Sequence, residues 1–123
     1  MRMIINNTFK VISHDGMPDS AGTPEALYTT PASTRSVVLG LILCNIDASQ
    51  RLVDVKLVSD TTGGGRTEDN TTVFLLKDVP IPSGSTLEVL AGNKVVLETT
   101  DAIQIDCDAA DKISVTLSIM EIT

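Results

Sequence analysis

The last ten residues that precede the C-terminal Thr show the cleanest pattern in the chain. Ile113, Val115, Leu117 and Ile119 alternate with Ser114, Thr116 and Ser118, the period of two expected of a strand with one face on a core and one in water. Met120 and Ile122 then add apolar weight to the wet side. Residues 36–46 behave differently. Val38, Ile42, Cys44 and Ile46 share one parity while Val37, Leu39, Leu41 and Leu43 share the other, which predicts a strand covered on both faces.

Shorter strands are predicted at 26–29, 51–59, 72–79, 86–90, 94–98 and 102–106, each bounded by turn chemistry. Pro80 and Pro82 are expected to end the strand before them, because each removes a ladder donor. Gly92-Asn93 reads as a hairpin turn, since both residues tolerate positive φ. Gly63, Gly64 and Gly65, among polar residues, read as an exposed tip. No window combines a helical period with caps, which excludes parallel α/β architectures. The pattern predicts an all-β fold, a single antiparallel β-sandwich or jelly roll of about eight to nine short strands.

Residues 1–24 stand apart from residues 25–123, the sandwich domain. They hold a short extended stretch at 9–12 and then a Gly-, Pro- and Asp-rich loop over 14–22. Two readings fit. The segment is an arm that adds a strand to a neighbouring subunit, with Phe9, Val11 and Ile12 as its buried residues, or it is the first strand of the chain's own sheet.

Composition narrows the chemistry. With one Tyr, two Phe and no Trp among 123 residues, the core must be built from Val, Ile and Leu. Nine basic residues against 16 acidic ones give a net charge of −7 with no basic cluster, so no nucleic acid is expected as a partner. No apolar run reaches the roughly 18 residues of a membrane span, and no signal peptide is read at the start, so neither a membrane nor a secretory route is expected. Cys44 and Cys107 are read as small hydrophobes with free thiols, since a cytosol keeps thiols reduced.

Candidate catalytic and ligating groups each have a plainer reading. His14 has no second His or Cys near it in sequence, Asp106, Asp108 and Asp111 mark a turn, and the Gly63 run lacks the Lys-Ser/Thr ending of a phosphate loop. A hydrolytic triad would have to be built on that one His. No cofactor, metal or small-molecule ligand is expected, and the chain is read as no enzyme.

The order of motifs from Leu27 onward resembles a small β-sandwich among virion structural proteins of tailed bacteriophages, particularly those of marine and cyanobacterial hosts. The likeness is carried by Ala26-Leu27-Tyr28-Thr29-Thr30-Pro31-Ala32, by residues 37–45, by Leu76-Lys77-Asp78-Val79-Pro80-Ile81-Pro82-Ser83-Gly84-Ser85-Thr86-Leu87, by Lys94-Val95-Val96-Leu97-Glu98 and by residues 113–122. These cover about four fifths of the chain, and it is their order rather than their separate turn chemistry that is distinctive. The resemblance implies a capsid decoration or a tail, neck or fibre component, located in the virion and assembled in the host bacterial cytoplasm. It implies other virion proteins and copies of the chain itself, a trimer being favoured, as partners, and it brings no catalytic residues.

A strand apolar on both faces cannot leave either in water, so contact with a neighbour is also expected on physical grounds. The candidate interface comprises Phe9, Val11, Ile12, Val37, Leu39, Leu41, Leu43, Met120 and Ile122. The alternative is a carbohydrate- or host-surface-binding module, for which Tyr28, Phe74 and Phe9 are the available rings.

Overall fold

The computed structural model describes residues 6–59 and 68–123. Among these described residues nine strands follow one another: β1 (Asn7–Met17), β2 (Glu25–Thr29), β3 (Arg35–Asn45), β4 (Arg51–Val58), β5 (Val73–Ile81), β6 (Thr86–Glu88), β7 (Val95–Leu97), β8 (Ala102–Cys107) and β9 (Ile113–Ile122). They form two antiparallel sheets, one in the order β1-β9-β3-β6 with β7 also on β3, the other in the order β2-β8-β4-β5. The pairings are nested. β4 meets β5, β3 meets β6 and β7, β2 meets β8, and β1 meets β9, the winding of one long hairpin rolled into a jelly roll. The predicted all-β sandwich is therefore what the chain adopts.

The core lies between the sheets and is almost wholly aliphatic. Ile113, Val115, Leu117 and Ile119 of β9 face Val53 and Val55 of β4 and Ile103 and Ile105 of β8 in one buried cluster. Every one of these residues follows the alternation of its strand, as a sheet with one packed face requires.

Four boundaries differ from the sequence expectation, each for a local reason. β1 runs through His14, Asp15 and Gly16 to Met17 instead of giving way to a loop at His14, because a register shift between His14 and Met17 absorbs the irregular residues. β5 continues through Pro80 to Ile81. It is an edge strand, so the N–H that Pro80 lacks costs no ladder bond on its open side. Gly92-Asn93 does not close a hairpin: β6 and β7 do not pair with each other, and both lie antiparallel along β3. The turn between them, with Ala91 and Gly92 at positive φ and the Asn93 N–H bonded to the Leu90 carbonyl, interrupts a single edge strand. The Gly63 run, expected as an exposed tip, lies outside the described residues.

The fourth difference matters most for the surface. β3 changes register against β9 between Val38 and Gly40, and the extra residue reverses the parity of everything after it. Ser36 and Val38 point inward before the bulge; Leu41, Leu43 and Asn45 point inward after it. Leu41 and Leu43 are thus core residues, not interface residues, and Ile42 takes the outer side in their place.

Candidate interaction surface

The outer face of the β1-β9-β3-β7 sheet carries the feature with the clearest capacity for contact. Phe9 is the register partner of Met120, Met120 of Val37, and Val37 of Val96. Four strands thus contribute one apolar residue each to a row that crosses the sheet. Its ends are open, with Phe9 72% and Val96 59% exposed, while Met120 and Val37 are half-buried by their neighbours. Val11, Leu39, Ile42 and Ile122 extend the patch along the strands. Covering Phe9 alone would gain about 2 kcal/mol from apolar area.

The β1–β9 part of the face is uncharged. Its other outward residues include Ser13, Ser114, Thr116 and Ser118, whereas Arg35 stands beside Ile122, Glu88 beside Ile42, and Val96 shares a cleft with Glu68, Asp69 and Glu98. For a chain of net charge −7 the β1–β9 part is markedly depleted, and depletion of charge at the centre of a patch is the compositional sign of an interface core. Of the residues expected at an interface, Phe9, Val11, Val37, Leu39, Met120 and Ile122 share this face. Ile12 does not: it points inward and packs against the core. Val96 and Ile42 were absent from the expected set. A pairing across the sheet, which has no local signature, puts Val96 beside Val37, and a bulge that only Gly40 hints at turns Ile42 outward.

Beneath one end of the row lies a polar network that joins the two sheets. Glu121 of β9 is buried; its Oε1 lies 2.7 Å from the Lys10 Nζ of β1, and its Oε2 accepts a 2.6 Å hydrogen bond from the Tyr28 hydroxyl of β2. The same hydroxyl lies 2.6 Å from Ser36 Oγ on β3. The hydrogen bond from Lys10, and then that from Tyr28, hold the Glu121 carboxyl below its ordinary value. Burial, and then the bond to Glu121, push the Tyr28 phenol up to about 12. Every group is satisfied, so the network fixes geometry rather than offering a reactive atom.

The remaining chemistry-bearing residues are likewise committed to structure. His14 Nδ1 accepts the Gly16 N–H at 3.2 Å. Asp106 Oδ1 accepts the N–H of Cys107, and Asp108 Oδ1 accepts that of Leu52. Asp47 accepts a 2.6 Å hydrogen bond from Arg51, which with the Ala48 N–H lowers its pKa. Among the described residues no group of three or more His, Cys, Asp or Glu is placed to hold a metal ion. Both cysteines are free, Cys44 half-buried on the outer side of β3 and Cys107 buried on β8, where burial pushes its thiol up. The three rings are far apart in the fold. Phe9 is on the first sheet, while Tyr28 and Phe74 are on β2 and β5, opposite edges of the second. Phe74 is moreover flanked by the ammonium groups of Lys56 and Lys77, each 5.0 Å from its centroid. Among the described residues no helix is long and apolar enough to cross a membrane.

Neither a known protein family nor a curated protein matches the sequence. Solved structures do match the fold. The chain is similar to a protein of the infectious bursal disease virus particle, with a TM-score of 0.57 at 11% identity, over 94% of this chain and 31% of the viral one. It is similar to that virus's VP2 in a subviral particle, with a TM-score of 0.55 at 13% identity, over 96% and 32%. A looser likeness, with a TM-score of 0.48 at 16% identity, links it to the disulfide-linked pili of Bacillus endospore appendages, over 97% and 88%. The chain therefore spans about a third of the length of the viral proteins it matches, and at 11% and 13% identity what it shares with them is the fold alone.

Proposed function

We propose that this chain is a non-enzymatic structural protein of a phage particle, a capsid decoration or tail-associated component that works through repeated protein contacts. The observation that carries the reading is the outer sheet face with its transverse apolar row Phe9–Met120–Val37–Val96. A chain that leaves such a row exposed has a surface suited to burial against another protein.

Two further points support it. The order of sequence motifs resembles tailed-phage virion proteins, and the fold is one that a viral particle protein also uses. The partners on this reading are other virion proteins and copies of the chain, with a trimer as the assembly the resemblance favours, and the virion as its location. The carbohydrate-binding alternative has no ring platform to stand on, because its three rings lie on separate strands and one is capped by two lysines. Mass spectrometry of purified particles from the source tests the reading directly. The protein is expected there in many copies, and particles without it would sink the proposal.

A further inference from the structure

The four sheet edges of this jelly roll are not alike. β5 is guarded by Pro80, by Lys77, by Asp78 at positive φ and by two register shifts. β2 is five residues long with a bulge, and β6 and β7 have three residues each. β1 is the least protected. It is eleven residues long and contains no Pro, its one register shift comes only after His14, and its one Lys, Lys10, is held by Glu121 of β9. Natural sheets seldom leave a long regular edge unguarded unless something pairs with it.

Which backbone groups are free follows from the ladder. Asn6 and Thr123 exchange both of their hydrogen bonds, so pairing alternates from there, and Asn7, Phe9, Val11 and Ser13 turn their N–H and C=O away from β9. Among the described residues nothing accepts or donates to those groups. All four residues are exposed and uncharged. The four bring no charge to the edge of a chain of charge −7, and the ammonium of Lys10 between them is balanced by Glu121 of its own chain.

We propose that β1 pairs antiparallel with β1 of a second copy, about a two-fold axis at Lys10, joining the two β1-containing sheets into one. The register is set by the free groups. With Lys10 opposite its own copy, Phe9 faces Val11, Val11 faces Phe9, and Asn7 and Ser13 face each other, so every free N–H and C=O of both strands finds a partner. The two Phe–Val pairs lie on the outer face, where an aromatic beside a β-branched residue is a favourable cross-strand neighbour. The two Lys10 side chains lie on the inner side, each already held by Glu121 of its own chain at 2.7 Å. The strand is self-complementary in this register, and it places the two apolar rows side by side. The contact rests on the structural reading above but is separate from any three-fold contact made through the sheet face.

Sedimentation equilibrium of the full chain across a dilution series tests it, with two substitutions at one position. Val11→Pro removes a free N–H without touching the β9 ladder, a placement that edge strands tolerate; Val11→Thr keeps the N–H and changes only the side chain. The wild type and Val11→Thr are expected to dimerise, and Val11→Pro to dimerise at least about tenfold more weakly. Equal behaviour of the two variants, or a wild type that stays monomeric, overturns the proposal. Amide exchange needs no substitution: the N–H groups of Phe9 and Val11 are expected to gain protection as concentration rises, and concentration-independent exchange overturns it equally. A monomeric protein found in purified particles defeats this contact and leaves the structural reading standing, whereas a β1-paired dimer absent from particles does the reverse.

Discussion

The Tyr28 hydroxyl donates a 2.6 Å hydrogen bond to Glu121 Oε2 and so ties the β2 edge of one sheet to β9 of the other. Lys10 balances the charge from β1, at 2.7 Å from Oε1. Because the Glu121 pKa is lowered in the folded state, its contribution to stability is complete above the ordinary carboxylate value and is lost as pH falls through the folded one. Urea unfolding midpoints of the wild type are therefore expected to drop on the acid side more steeply than those of Glu121→Gln. At neutral pH Glu121→Ala is expected to cost about 2 kcal/mol, below the figure for a fully buried pair because Lys10 is half exposed.

Tyr28 offers a direct optical test of the same network. It is the only Tyr and there is no Trp, so the near-ultraviolet change on phenolate formation reports one residue. The folded pKa, raised to about 12, lies above the unfolded value, so the stabilisation is present below the unfolded pKa and lost as pH rises through the folded one. A spectrophotometric titration of the native protein is expected to show a midpoint well above that of the urea-unfolded chain. Coincident midpoints would mean that the hydroxyl is neither buried nor bonded to Glu121.

Adjacent leucines on β3 should behave as opposites. Leu41 is fully buried, so Leu41→Ala leaves a cavity and is expected to destabilise by about 3 kcal/mol. Leu39 stands at the bulge with 38% of its surface exposed, and Leu39→Ala is expected to change stability by less than about 1 kcal/mol. Denaturant midpoints of the two variants decide it; similar losses would place the parity reversal elsewhere.

That reversal also marks where sequence reading stops. β9 was legible in full because a regular strand between two partners obeys a strict alternation. In β3 the same rule fails at one residue, and a single unseen bulge exchanged Leu41 and Leu43 for Ile42 on the outer face. Gly40 was the available hint, since an isolated strand Gly often marks a bulge. Six of the expected contact residues lie on the apolar face because their strands are regular where they sit. Val96 was missed because the short β7 joins the row only through a long-range pairing with Val37.

Two glycines that look equivalent in the sequence should respond differently to a methyl group. A Cβ on Gly16 would stand 2.7 Å from the Asp111 carbonyl oxygen and 3.1 Å from its carbon, both backbone atoms that cannot swing away. Gly16→Ala is expected to destabilise by about 2 kcal/mol as the end of β1 is forced from β9. At Gly40 nothing lies within 4 Å of the same position, and its φ is not positive. Gly40→Ala is expected to be neutral or stabilising by about 0.5 kcal/mol, through a less flexible unfolded chain. Thermal melts of both variants test the pair.

The apolar row should separate assembly from stability. Phe9 and Val96 are its two open ends, and each makes too little contact within the chain for truncation to unfold it. Phe9→Ser and Val96→Ser are therefore each expected to shift the unfolding free energy by no more than about 0.5 kcal/mol. Their effect on contact should be larger, because it is their exposed apolar area that a partner would cover. Val96 is the sharper probe. It lies across β3 and β9 from the free edge of β1, so its loss cannot disturb strand pairing there. If the sheet face is buried in the particle, Val96→Ser lowers incorporation in a reconstituted assembly while the melting temperature stays put. Unchanged incorporation would assign the contact to the β1 edge alone and leave the row without a partner.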